Sequence, residues 1–290
     1  MSTLKPRQTV LITGCSSGIG RATALHFHRA GWNVVATMRT PEQETELNRL
    51  NNVLVVALDV QDQASIDTAL QQALTHFGQI DVLINNAGYA LMGAFENASE
   101  DQIQRQFDTN VFGLMRVARA VLPHFRGRNA GLLINVASMA GRLPIPLMSV
   151  YNASKWAVQG FSECLTYELA PFNIRVKIVE PGAVNTAFFG RSGDRQNATG
   201  VAAYNEFANA QFPVIDKTGP GGSTSEDVAA TIYRAATDGS AALRYAVGVD
   251  AKALLSARKL LPDRVFLPMI GWSLSPAVFN RLGRLFYKPG

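Results

Sequence analysis

TVLITGCSSGIGRATALHFHRA, residues 9–30, passes from a strand pattern to a helix pattern across a glycine-rich turn. TVLIT (9–13) is a short apolar run rich in β-branched residues, and the periodicity from Gly18 predicts a helix over 18–30. Between them Gly14, Gly18 and Gly20 stand in the spacing G-x-x-x-G-x-G, not the commoner G-x-G-x-x-G. Glycines between a strand and a helix let the chain turn tightly and bring backbone N–H groups close to a pyrophosphate. The helix that follows adds unpaired donors and the positive end of its dipole. Gly14, Ser16, Ser17, Gly18, Ile19 and Gly20 are therefore candidate contacts for a dinucleotide.

Outward from this turn, apolar runs alternate with helical patterns along the chain. Strands are expected near 9–13, 33–37, 53–59, 80–84, 131–137, 174–180 and 243–249, with helices near 18–30, 63–77, 99–125, 150–170, 226–237 and 250–261. Ser99 with Gln102 forms a capping box for the third helix, and Asp250 is placed to cap the last. Nearly continuous apolar strands separated by helices predict a Rossmann-type α/β fold. This is one domain over 1–290, a doubly wound parallel sheet of about seven strands with helices on both faces. Residues 187–224 are rich in Gly, Asn, Ser and Thr and read as a substrate-binding loop or lid. Phe188, Phe189, Tyr204, Phe207 and Phe212 argue against a disordered insertion there. Residues 262–290 form an apolar extension broken by Pro268 and Pro276, to be read as pocket cover, partner contact or membrane-surface contact.

The 290 residues carry a net charge of +5, but Lys and Arg are scattered and not interleaved with aromatics. That pattern disfavours nucleic acid as a partner. Cys15 and Cys164 form no CxxC and have no histidine at ligand spacing, so neither a metal site nor a disulfide framework is expected. The opening MSTLKPRQTVLIT is polar and leads straight into a strand, which reads as no signal peptide and a cytoplasmic protein. No transmembrane span is expected.

Two further stretches bear on chemistry. At the end of the second strand, ATMRT places Met38 where a carboxylate would meet a bare ribose, and Arg39 follows. A guanidinium suits a 2′-phosphate, so NADP(H) is favoured and NAD(H) remains open. SVYNASKWAV (149–158) sets Tyr151 and Lys155 four apart on one helical face. Spacing alone does not separate an acid–base device from a surface pair. A phenol near pKa 10 becomes an effective proton carrier at neutral pH only if a neighbouring cation lowers that value.

TGCSSGIG (13–20), DV (59–60), NNAG (85–88), Asn110 in DTNVFG, Ser138 in NVAS, YNASK (151–155) and PGAVNT (181–186) occur in one order along the chain. Together they resemble the short-chain dehydrogenase/reductase family over about residues 8–190. The resemblance implies that Tyr151 exchanges a proton with a ketone or alcohol and that Ser138 binds the substrate oxygen. It implies that Lys155 grips the nicotinamide ribose and favours the tyrosinate, while Asn110 anchors a water. Asp59 and Val60 would meet the adenine. Asn86, Ala87 and Gly88 would flank the cofactor, and Pro181, Gly182, Val184 and Thr186 would cradle its nicotinamide end.

The histidines, His26, His28, His76 and His124, fall in helical stretches away from these motifs, and Ser138 lacks a nucleophile elbow. Cys15 reads as a small filler of the turn and Asn85 as a sheet residue. Leu91, Met92, Met139 and Leu143 are expected walls of an apolar pocket, pointing to a lipophilic alcohol or ketone. The segments VVATMR and AVQGFSECLTYEL are similar to steroid- and retinoid-type members of the family. By the same resemblance a homo-oligomer, dimer or tetramer, is expected through helices 99–125 and 150–170. A non-catalytic cofactor sensor and an epimerase or dehydratase on the same fold are the rival readings.

Overall fold

The computed structural model describes residues 7–185, 193–195 and 201–275. Seven parallel strands form the main sheet. They are β1 (Thr9–Ile12), β2 (Asn33–Met38), β3 (Val53–Ala57), β4 (Val82–Asn85), β6 (Gly131–Val136), β7 (Ile174–Pro181) and β9 (Arg244–Val247), in the spatial order β3-β2-β1-β4-β6-β7-β9. Short strands β5 (Ala90–Met92) and β8 (Gly193–Arg195) pair separately, also in parallel. The order reverses between β1 and β4, which opens a crevice beyond the carboxyl ends of those strands.

The period-two geometry of β1 shows why both faces need cover. Val10 and Ile12 join a core with Ala24 and Phe27 of α1 (Gly18–Arg29) and with Val228 and Ile232 of α7 (Ser225–Thr237). Leu11 points the other way, into a core with Ile66 of α2 (Gln63–Phe77), Val117 and Phe125 of α4 (Leu114–Arg128) and Leu165 of α5 (Ser149–Leu169). Each fully buried aliphatic side chain of this kind contributes roughly 1.5–3 kcal/mol.

The long helix expected over 99–125 is interrupted. It starts as α3 (Glu100–Phe107) behind the anticipated Ser99–Gln102 capping box, widens into a π-turn over Asp108–Gly113, and resumes as α4. Gly113 lies so close to Val60 that a Cβ there would stand 2.7 Å from Val60 Cγ2.

The expected irregular stretch also contains order, namely β8 and α6 (Asn205–Thr218). Phe188 and Phe189 lie outside the described residues, as does much of the C-terminal extension. The extension begins as α9 (Asp263–Ser273), packed on α8 (Val249–Leu260) through Phe266, Ile270, Ala251 and Leu255. Pro268 sits on the exposed side of α9, where the carbonyl it leaves unpaired can meet water. The expected cap at Asp250 is replaced: Gly248 is the N-cap, without a side-chain bond, and Asp250 is turned inward. Among the described residues, no helix is long and apolar enough to cross a membrane.

Candidate active site

The glycine turn after β1 is built by contacts that leave its donors facing outward. Gly14 has φ +75° and Gly18 φ +54°, in the left-handed region that favours glycine. A Cβ on Gly20 would fall 2.2 Å from the Gly14 carbonyl oxygen, so α1 and the turn are in backbone contact. Thr13 Oγ1 accepts from the amides of Asn86 and Ala87, each at 3.0 Å, and Asn86 Nδ2 donates to the Thr13 and Gly14 carbonyls at 2.9 and 3.2 Å. The turn after β4 is thus stitched to the turn after β1. The first turn of α1 has no side-chain cap and no acidic residue, and Gly18, Ile19 and Gly20 line a cavity. Uncapped donors at the positive end of a helix dipole suit an anion.

That cavity measures about 870 Å³. Gly14, Ser16, Ser17, Arg39, Asp59, Val60, Asn86, Ala87, Gly88, Ser138, Tyr151, Lys155, Pro181, Gly182 and Val184 all line it. Thr186 lies outside the described residues. Arg39 is exposed at the rim beside the buried Met38 and forms no ion pair among the described residues. Asp59 turns its carboxylate to the Gln61 amide at 2.9 Å. The segment after Arg39 is tied to α1: Arg21 reaches Glu44 and Glu46 with contacts of 2.5 and 2.6 Å.

At the other end of the cavity, α5 presents Tyr151 and Lys155 and the loop after β6 presents Ser138. The Ser138 hydroxyl hydrogen-bonds the Tyr151 phenol. Ser138 Oγ also accepts from the Ala140 amide at 3.1 Å, which fixes its orientation. Lys155 Nζ donates to the Val136 carbonyl at 3.0 Å and stands 5.9 Å from the centre of the Tyr151 ring. Burial pushes the Tyr151 phenol up to about 12, against a smaller lowering by Ser138. Burial pushes the Lys155 ammonium down to about 8. Loss of water dominates at both groups and disfavours the charged form of each.

Asn110 does not line the cavity. It is buried behind the turn after β4, where Nδ2 donates to the Tyr89 carbonyl at 2.9 Å and to Ser154 Oγ at 3.2 Å, and Oδ1 accepts the Tyr89 amide at 3.0 Å. The π-turn carries it, and such widenings often mark functional positions. Leu91 and Met92 are also not cavity walls. They are buried in β5, with Met92 packed into the cluster that backs Tyr151. Met139 and Leu143 do line the cavity, joined by Ile145 and Met148, by Val214 and Ile215 of α6, and by Leu254 and Ile270 of α8 and α9.

Several contributors escaped the sequence reading. Asn152 Nδ2 donates to the Leu143 carbonyl at 2.6 Å, and Ser154 Oγ both donates to the Tyr151 carbonyl and accepts from Asn110. The residues between Tyr151 and Lys155 thus anchor neighbouring loops as well as the helix. Tyr89, Arg105 and Asp194 add a polar patch to the cavity wall, with Arg105 paired to Asp194 at 3.1 Å. Only the position of Tyr89 directly after NNAG gave a signal; the pairing of α3 with β8 had none.

Residues set aside from sequence behave accordingly. Cys15 is fully buried, donates to the Ile12 carbonyl at 3.3 Å, and has its thiol pushed up to about 12 by burial. Asn85 Nδ2 donates to Asn135 Oδ1 at 2.9 Å. Asn135 Nδ2 donates to Ser162 Oγ at 2.8 Å, and Ser162 donates to the Val158 carbonyl at 2.6 Å, carrying a polar chain from the sheet into α5. No histidine lines the cavity.

The short chain dehydrogenase family matches residues 8–197, the stretch that builds six of the seven strands of the main sheet and contributes to both ends of this cavity. The chain belongs to the short-chain dehydrogenase family. Among relatives of this short-chain dehydrogenase, a 3-ketodihydrosphingosine reductase of Bacteroides thetaiotaomicron is 35% identical over 263 residues, 89% of this chain and 94% of that protein. Retinol dehydrogenase 8 of Bos taurus is 42% identical over 193 residues, 63% of this chain and 61% of the relative. A short-chain dehydrogenase from Streptomyces avermitilis shares the fold with a TM-score of 0.80 at 33% identity, covering 97% of this chain and 98% of the other. ElxO, solved with NADP bound, superposes at TM-score 0.69 and 25% identity over 83% of this chain and 97% of its own. A Burkholderia phymatum member solved with NAD gives 0.72 and 26%, over 88% and 92%.

Proposed function

We propose that this short-chain dehydrogenase is an NADP(H)-dependent oxidoreductase acting on a lipophilic ketone or secondary alcohol. The observation that carries the reading is that one cavity joins the uncapped glycine turn and Arg39 to the hydrogen-bonded Ser138–Tyr151 pair with Lys155 beside it. Gly14, the first turn of α1 and Asn86–Gly88 fit a dinucleotide, with backbone donors for the pyrophosphate at one end of the cavity. The bound nicotinamide would supply or accept the hydride. Arg39, free of any ion pair among the described residues, favours the 2′-phosphate over a bare ribose, while NAD(H) fits the same cavity more weakly.

In the reductive direction, Ser138 and Tyr151 donate to the substrate oxygen, and Tyr151 transfers its proton as negative charge builds there. A phenol held near 12 is fully protonated at neutral pH, as an acid must be before reaction. Lys155 opposes the charge left on the phenolate from one helical turn away. Asn110 holds the turn at Tyr89 through two hydrogen bonds and ties it to α5 through a third, to Ser154, and so acts on the site at one remove. Leu143, Ile145, Met148, Val214, Ile215, Leu254 and Ile270 line the substrate end and favour an apolar body. The names of the sphingosine-type reductase and the retinol dehydrogenase support the same class.

The test is NADPH consumption against steroid, retinoid, long-chain aliphatic and aromatic ketones, with Tyr151→Phe as control. Turnover by the wild type, lost in the variant with NADPH binding retained, is the expected result. NADPH binding without reduction of any carbonyl or oxidation of any alcohol would point to a sensor. Exposed Phe112, Trp156 and Tyr167 on the π-turn and α5 support self-association, which light scattering would measure.

A further inference from the structure

We infer that Asp250 is a positioning residue that sets the backbone segment Pro181–Val184 against the nicotinamide end of the cofactor. This rests on the cofactor reading above. Asp250 does not line the cavity; it stands behind the wall. β7 ends at Pro181 opposite Val247 of β9, and the Gly182 amide continues the ladder to the Val247 carbonyl at 2.9 Å. The chain then leaves the sheet, and the Ala183 amide would be an unpaired donor in the interior. Asp250 Oδ2 accepts it at 2.8 Å. An orphaned buried amide is costly, so this carboxylate decides where the segment can rest.

Two glycines make room for it. A Cβ on Gly182 would fall 2.3 Å from Asp250 Oδ1, and one on Gly248 would fall 2.4 Å from the same oxygen. The carboxylate is wedged between the ends of two neighbouring strands, and Asp250 itself is 5% exposed. Its place in the first turn of α8 sets the negative group at the positive end of that helix. On its other side the segment is hydrogen-bonded through main chain to the loop at Ser223. Ser223 donates to the Ala183 carbonyl at 2.9 Å, and the Asn185 amide donates to the Ser223 carbonyl at 2.8 Å. The wall of the cavity at Pro181–Val184 is therefore clamped between one side chain and one neighbouring loop, and Asp250 is the side-chain half of the clamp.

Hydrogen exchange of the Ala183 amide in the free protein and ligand affinities in solution together test this, with Asp250→Ala and Asp250→Asn. NADPH affinity is compared with that for adenosine 2′,5′-bisphosphate, which lacks the nicotinamide half. Asp250→Ala is expected to speed Ala183 exchange about tenfold or more and to weaken NADPH about tenfold, with the bisphosphate changed less than about twofold. Asp250→Asn keeps an acceptor and is expected to restore most of both. Unchanged Ala183 exchange in Asp250→Ala, or equal losses for NADPH and the bisphosphate, would overturn the assignment. If Asp250→Ala does not fold, Asp250→Asn and Asp250→Ser are compared on the same two readouts, and equal behaviour of the two would count against the clamp. A wild type that binds neither ligand would instead refute the cofactor reading, and the exchange of Ala183 would still decide on the clamp.

Discussion

Lys155 Nζ donates to the Val136 carbonyl at 3.0 Å and, among the described residues, has no carboxylate paired with it. A buried ammonium held by a neutral acceptor is an electrostatic cost to the folded protein, and its depressed pKa of about 8 is the measure of that cost. Between about 8 and the ordinary lysine value of 10.5, the unfolded chain binds the proton that the folded protein has already released. Stability therefore rises with pH across that window.

Lys155→Met removes this dependence. Urea unfolding at pH 7.5 and 9.5 should show the wild type gaining stability relative to Lys155→Met, by on the order of 2 kcal/mol. Tyr151 works in the opposite direction, since a phenol raised to about 12 lowers stability only as pH climbs beyond 10, so both measurements sit below its range. A constant difference between the two proteins would mean that Lys155 is not held in the low-dielectric setting described.

Ser138 hydrogen-bonds the phenol and is oriented by the Ala140 amide. Ser138→Ala should lower kcat by roughly 100-fold, the usual effect of removing one donor to a developing oxyanion, with little change in NADPH affinity. Steady-state kinetics and a fluorescence titration of NADPH separate the two effects.

Arg39 stands at the cavity rim beside Met38. Arg39→Ala should reduce the preference for NADPH over NADH by about tenfold or more, chiefly through the affinity for NADPH. The ratio of kcat/KM for the two cofactors is the readout, and an unaltered ratio would remove the basis for the NADP(H) reading.

Glu44 ties the segment after Arg39 to α1. Burial raises its carboxyl pKa, but the bonds from Arg21 and from the Leu47 and Glu46 amides outweigh burial and hold it down at about 2. A depressed carboxyl adds stability above its ordinary value of 4.5 that is lost as pH falls from there towards about 2. Glu44→Gln should cost roughly 1–3 kcal/mol at neutral pH, with a smaller difference from wild type at pH 3. Thermal unfolding at the two pH values measures both.

The sheet and the glycine-turn side of the cavity were legible because they depend on local signals. β-branched runs mark the strands, and Gly14, Gly18 and Gly20 mark a turn that other residues could not make. Tyr151 and Lys155 were legible from helical spacing together with their place in a series of motifs. What escaped depended on partners distant in sequence. The π-turn has no compositional mark, so Asn110 was placed on a regular helix. Asp250 looked like a helix cap because its true partner, the Ala183 amide, is 67 residues away. The order in α6 and α9 was hidden by prolines at 213 and 268, which both helices accommodate. Leu91 and Met92 could not be told from cavity walls without knowing that β5 turns them inward.

The Asn85–Asn135–Ser162 chain gives α5 something that hydrophobic contact cannot. Greasy surfaces tolerate sliding, because a helix displaced by part of a turn exchanges one set of apolar neighbours for another at small cost. A row of polar groups sunk through that interface works like a key in a slot, since any displacement strands a donor or an acceptor in the interior. The axial setting of the helix thus becomes discrete. With it, the positions of the phenol and the ammonium in the cavity are fixed by two asparagines and a serine that do not line it.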